Sequence, residues 1–142
     1  MLKPLLSGLA GACALTLTNE LLRQSVPNAP RLEIAGMRGL AQLTRAAGYE
    51  PPAHLHQASL AGDLLSNSVC FSLAALGGAK HSVTAGALLG LGAGACAVLL
   101  PGKIGVGDGP TARTTETALL TLLYYTLGGV VAGAAYRAIA RD

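Results

Sequence analysis

The 142-residue chain is 51% hydrophobic and 12% charged, with a mean hydropathy of +0.50. Soluble domains carry about 25% charged residues, so this composition excludes an ordinary water-soluble globule and places the chain in the membrane class. A net charge of +3, spread over the presumed loops, is no nucleic-acid footprint, and no nucleic-acid partner is expected.

The expected fold class is all-α. Residues 1–142 form a single transmembrane domain, a bundle of four spans at about 2–24, 52–76, 83–100 and 116–140. A short amphipathic interfacial helix, about 31–47, lies between spans 1 and 2. Cys13, Cys70 and Cys96 sit inside apolar segments with no CxxC pair, which gives no disulfide framework and leaves the redox compartment open.

The first apolar run follows Lys3, and LAGAC (Leu9 to Cys13) has a faint look of a lipoprotein cleavage box. A single basic residue and a short apolar stretch before Cys13 are poor signals for processing, so the run reads as a retained first span. Its second half places Thr16, Asn19, Glu20 and Arg23 on one face. Glu20 and Arg23 are three residues apart and able to pair on the helix surface. The alternative is that Glu20 turns inward toward the acid of the second span.

SVPNAP, Ser25 to Pro30, ends this helix, because Pro27 and Pro30 lack the backbone donor a helix needs. From Arg31 to Gly48 apolar residues alternate with Arg31, Arg38 and Arg45 in a helical pattern. That pattern fits a helix lying in the membrane surface with its arginines toward lipid phosphates. Gly36 and Gly39 interrupt its apolar face, leaving a broken helix over the bundle mouth, or a partner-binding helix, as alternatives.

YEPP, Tyr49 to Pro52, is a second breaker, and the helix after it carries the polar site. At roughly 100° per residue, His56, Ser59, Asp63, Ser66, Asn67 and Cys70 share one stripe. Lipid tails offer polar groups no partners, so this stripe must face protein or water. An ionised Asp at mid-bilayer costs at least ~2.5 to 3.5 kcal/mol on insertion scales, which makes Asp63 a functional candidate by default. Ser59 and Asn67, four residues either side, reach it on the same face. The competing reading is a buried hydrogen-bond knot that fixes helix register. His54 and His56 lie near the interface, and HxH on a helix does not put both rings on one face, so no metal site is expected there.

GGAKHS, Gly77 to Ser82, is expected to be a tight hairpin. In the third span Gly86, Gly90 and Gly94 form two overlapping GxxxG units, a stripe that lets helices approach closely, within one chain or between two. Pro101 to Thr115 is a Gly/Pro-rich loop; it has no preceding strand and no GK[ST], so it is not a phosphate loop. Thr114 or Thr115 is expected to cap the last helix, with Glu116 in its first turn. In the fourth span Gly129 and Gly133 form another GxxxG, and Thr117, Thr121, Tyr124 and Gly128 share a face. Tyr124 lies deep enough for its hydroxyl to need a partner. Tyr136, Arg137 and Arg141 read as an interfacial anchor.

Taken together, these elements predict a polar intramembrane site of Asp63, Asn67, Ser59, Glu20, Arg23 and Tyr124. The expected function is a transport or permeation unit for an ion, proton or small polar solute. The alternative is an accessory subunit of a membrane complex that packs through its Gly-rich faces. No nucleophile elbow, HExxH or di-iron Glu-x-x-His pair occurs, so an enzyme is the weaker reading, and no cofactor or catalytic residue is expected. The expected partners are the lipid bilayer and a homo-oligomer or larger membrane complex. The expected location is a plasma membrane of the bacterial, inner-membrane type. Six Lys or Arg flank the side of the amphipathic helix and four the other, which leans that side toward the cytoplasm.

Overall fold

The computed structural model describes residues 2–140. The elements are α1 (Leu2–Leu22), α2 (Leu32–Ala46), α3 (Leu55–Ser72), α4 (Gly78–Lys103), a one-turn α5 (Gly109–Ala112) and α6 (Thr115–Ile139). A 3₁₀ turn over Leu73–Gly77 joins α3 to α4. No strand occurs among the described residues. Three stretches are long and apolar enough to cross a membrane: Leu2–Leu22, Leu55–Lys103 and Thr115–Ile139.

The middle stretch, 49 residues long, is folded back on itself. Gly8, near the start of α1, abuts Ser68 and Ser72 at the end of α3; Gly11 abuts Gly128 midway along α6, and Asn28, just beyond α1, is bonded by Thr117 near the start of α6. Gly86 of α4 abuts Gly129 of α6, while Gly94 further along meets Leu122. Thus α1 is antiparallel to both α3 and α6, and α4 is antiparallel to α6. It follows that α3 and α4 run in opposite directions, with the reversal between residues 73 and 78.

This reversal lies earlier than the hairpin expected at 77–82. Gly78 has φ 64°, a left-handed conformation that costs a glycine little and other residues much. With the turn made there, AKHSV contains no breaker, and Lys80 and His81 fall in the first turns of α4. At its other end α4 runs through Pro101 to Lys103, past the loop start expected at 101. Pro so near a helix end forfeits one backbone bond, and the Pro101 carbonyl accepts from Val106 and Gly107, both at 3.0 Å. The α3 helix starts three residues later than expected, after the Pro51–Pro52 pair.

The major packing interfaces are α4 with α6, α1 with α6, and α1 with α3, so the long helices lie in the order α3, α1, α6, α4. Glycines make the approaches close: a Cβ on Gly86 would run into the Gly129 carbonyl, and one on Gly133 into the Ser82 carbonyl. Where Gly11 and Gly128 meet, Ala12, Leu15, Phe71, Tyr124 and Ala132 form the buried core. Outward faces carry leucines such as Leu17, Leu65, Leu88 and Leu123, all more than half exposed. Apolar surface on this scale belongs against lipid, and the chain reads as a membrane protein.

The connecting segments are tied down by polar contacts. Thr117 donates to the Asn28 carbonyl at 2.8 Å, and Asn28 Nδ2 donates to Glu116 at 3.0 Å. Thr121 donates to the Thr111 carbonyl at 2.8 Å. Thr114 caps α6, its hydroxyl accepting from the Thr117 amide at 3.0 Å. The Arg31 amide donates to the Pro110 carbonyl at 2.8 Å, and Gln42 Nε2 to the Ile104 carbonyl at 2.5 Å, so α2 is anchored to the α4–α6 connection at both ends.

Candidate functional site

Helix α2 roofs a cavity of about 440 Å³. Its walls come from α1 and α3, with Tyr125 of α6, Ala97 and Pro101 of α4 and Thr111 of α5 closing the far side. The polar stripe of α3 contributes His56, Ser59, Asp63 and Asn67 to this space. Asp63 is the ninth of the eighteen residues of α3, midway along the helix. A second hollow of about 270 Å³ opens between α2 and α3, and Ser59, Asp63 and Gly36 line both. The backbone of Gly36 comes so close that a Cβ there would meet Asp63 Oδ2 and the Ser59 hydroxyl.

Ser59 is 4% exposed, and its hydroxyl has no hydrogen-bond partner. Buried hydroxyls are ordinarily satisfied; this one lies beside the Asp63 carboxylate, both under the backbone of Gly36. Among the described residues no cation pairs with Asp63; the ion pair found is Glu20 with Arg23. It is two-pronged, with Arg23 Nε and Nη2 donating to the two Glu20 oxygens at 2.9 and 2.6 Å. The Glu20 carboxylate holds the Arg23 guanidinium pKa above its ordinary value.

Glu20 and Arg23 line the same cavity as Asp63, but the Glu20 side chain is half exposed and both of its oxygens are held by Arg23. Five of the six residues expected at the site, Asp63, Asn67, Ser59, Glu20 and Arg23, therefore border one space. Tyr124 does not. It lies in the core with Leu15 and Phe71, and its hydroxyl is buried without a partner. The face it shares with Thr117, Thr121 and Gly128 is buried throughout, and Gly128 on that face abuts Gly11 of α1. Its neighbour Tyr125, about 100° round the helix, lines the cavity instead.

Two further polar residues belong to the site. Buried Asn19 donates to Glu33 Oε2 at 3.2 Å and accepts from the Leu32 amide at 3.4 Å. Arg31 at the head of α2 makes no side-chain cap, so Asn19 supplies from α1 a partner for an amide the helix start leaves open. Glu33 is thereby turned to the cavity. Its signal in the sequence was an acid in the first turn of a helix, which ordinarily reads as dipole compensation.

Among the described residues, no group of three or more His, Cys, Asp or Glu is placed to hold a metal ion. Compared with known proteins, the chain matches no family model, no curated protein and no solved structure.

Proposed function

We propose that the chain is a four-span membrane protein and that the cavity beneath α2 is the binding site of a transport or permeation unit for an ion, a proton or a small polar solute. In this reading α1, α3, α4 and α6 cross the bilayer as one domain. The α2 helix lies in the interface, with Arg31, Arg38 and Arg45 toward lipid phosphates. All three arginines are exposed, whereas Ala41 is buried.

One observation carries the reading: a carboxylate midway along an apolar helix opens into a cavity beside a buried, unpartnered hydroxyl. Stability alone does not call for a charge at that depth, and intramembrane acids mark substrate and ion pathways. That Asp63 lines two hollows favours passage over mere storage. The six-to-four distribution of basic residues, of which Arg141 lies outside the described residues, leans the α2 side toward the cytoplasm of a bacterial-type inner membrane. A homo-oligomer or a larger membrane complex fits this function. The competing reading, an accessory subunit packing through Gly-rich faces, would need another surface, because Gly86, Gly90, Gly94, Gly129 and Gly133 already face helix neighbours within the chain.

The test is flux into proteoliposomes. The wild type is expected to carry one of protons, sodium, potassium or a small organic solute, and Asp63→Asn to abolish it while expression and fold persist. A wild type that carries none of them refutes the proposal.

A further inference from the structure

We infer that the cavity takes an organic cation, a compact amine or quaternary ammonium with an apolar body; this rests on reading the cavity as a ligand site. Three properties of the lining carry the inference. The first is size. About 440 Å³ lies within the range of small-molecule pockets, roughly 300–1,000 Å³, and is far more than a bare ion fills. The second is the balance of charge. Glu20, Glu33 and Asp63 face the space against the guanidinium of Arg23 and the imidazole of His56, and Arg23 is paired with Glu20. Glu33 is held by the neutral amide of Asn19, and Asp63 has no cation partner among the described residues. A positively charged guest supplies the partner that Asp63 lacks, and the excess of acids disfavours an anion. The third is the remaining wall: Leu15, Leu32, Leu60, Ala97 and Pro101, with the ring of Tyr125. Aliphatic surface accepts an apolar body, and an aromatic face favours a cation with weak hydration.

The polar atoms are also arranged to orient such a guest. Asp63 and Ser59 sit together under Gly36, and the Ser59 hydroxyl is nine-tenths buried beside that carboxylate with no partner at full hydrogen-bond geometry. A protonated amine would donate to Asp63 and Ser59 at once, with its hydrocarbon toward Leu60 and Tyr125. A quaternary ammonium would sit against the same carboxylate without the hydrogen bond. A metal ion is the poorer fit, since the acids are not grouped as ligands.

The experiment is titration calorimetry of the purified full-length protein in detergent with benzyltrimethylammonium, against benzenesulfonate as an aromatic ion of opposite charge. Saturable binding of the cation and none of the sulfonate is expected. Asp63→Asn should weaken the cation about tenfold or more, and Glu116→Gln, which lies outside the cavity, should leave it unchanged. Absence of saturable cation binding, equal binding of the sulfonate, or an Asp63→Asn affinity equal to wild type each overturns the inference. If Asp63→Asn fails to fold, the contrast between the two probes on the wild type decides alone. Cation binding without flux in proteoliposomes would sustain this inference and sink the transport reading. Flux of protons or sodium without cation binding would do the reverse.

Discussion

The backbone of Gly36 in α2 lies directly over the carboxylate of Asp63 in α3, so close that a single added methyl group would collide with it. Three residues on, Gly39 has nothing within 4 Å of the corresponding position. Two glycines in one helix thus sit in opposite circumstances, one closing the roof of the cavity and one facing open space.

That contrast gives the first prediction. Gly36→Val should crowd Asp63 and Ser59 and reduce ligand binding or flux roughly tenfold, a loss of about 1.4 kcal/mol. Gly39→Val adds bulk on the second hollow and not on the first, and should leave ligand binding near wild type. The atoms in the way at Gly36 are side-chain ends that can swing, so both variants should purify as folded protein. Parallel binding curves settle it, and equal curves for the two variants would separate the roof from the site.

The second prediction concerns the α4–α6 seam. Gly86→Leu or Gly129→Leu drives a side chain into the facing helix backbone, and overpacking of this kind typically costs about 1–3 kcal/mol. Gly92, with nothing within 4 Å, is the control: Gly92→Ala should be neutral or stabilise by up to about 1 kcal/mol through helix propensity. Thermal unfolding in detergent reads both. A Gly86→Leu protein as stable as wild type would show that these helices do not approach as described.

The third prediction tests the bridge from α1 to α2. Asn19→Ala removes the partners of Glu33 and of the Leu32 amide. Interhelical hydrogen bonds in membranes average about 0.6 kcal/mol, so global stability should fall little. The head of α2 should loosen, however, and its amides should exchange faster with deuterium over residues 31–35. Unchanged exchange there would mean that the helix start is held by other contacts.

The fourth prediction concerns topology. In a background with Cys13, Cys70 and Cys96 replaced, Arg45→Cys and Lys103→Cys should label from one side of the membrane with an impermeant maleimide, and Lys80→Cys from the other. Labelling of all three from the same side would rule out crossings by both α3 and α4.

Much of this arrangement was legible in residue order, because lipid imposes simple rules. The α3 stripe is set by angular spacing alone, and it brings His56, Ser59, Asp63 and Asn67 to one cavity wall, while Ser66 and Cys70 of the same stripe fall outside it and Ser66 is exposed. What could not be read was which neighbour each face meets. Tyr124 and Tyr125 are both aromatic and adjacent, and only the packing of α6 between α1 and α4 sends the first to the core and the second to the cavity. Gly8 and Gly11 pass unnoticed for a related reason: three residues apart, they match no paired motif, yet each lets a different helix approach α1. The reversal comes before the expected turn because GGAKHS is turn-like throughout by composition, while the φ of 64° falls on its second residue alone.

The proposed site requires Asp63 to face a space that water and ligands reach, midway along a helix whose opposite side faces lipid. The most direct measurement is the reactivity of a lone cysteine there toward a charged, water-soluble thiosulfonate, since only a hydrated thiol ionises and reacts. Asp63→Cys should react, and benzyltrimethylammonium should slow it. Leu65→Cys, at a position 69% exposed on the outward face, should stay unreactive in the membrane. If position 63 is as inert as position 65, the cavity is closed to water, and the proposed site does not exist.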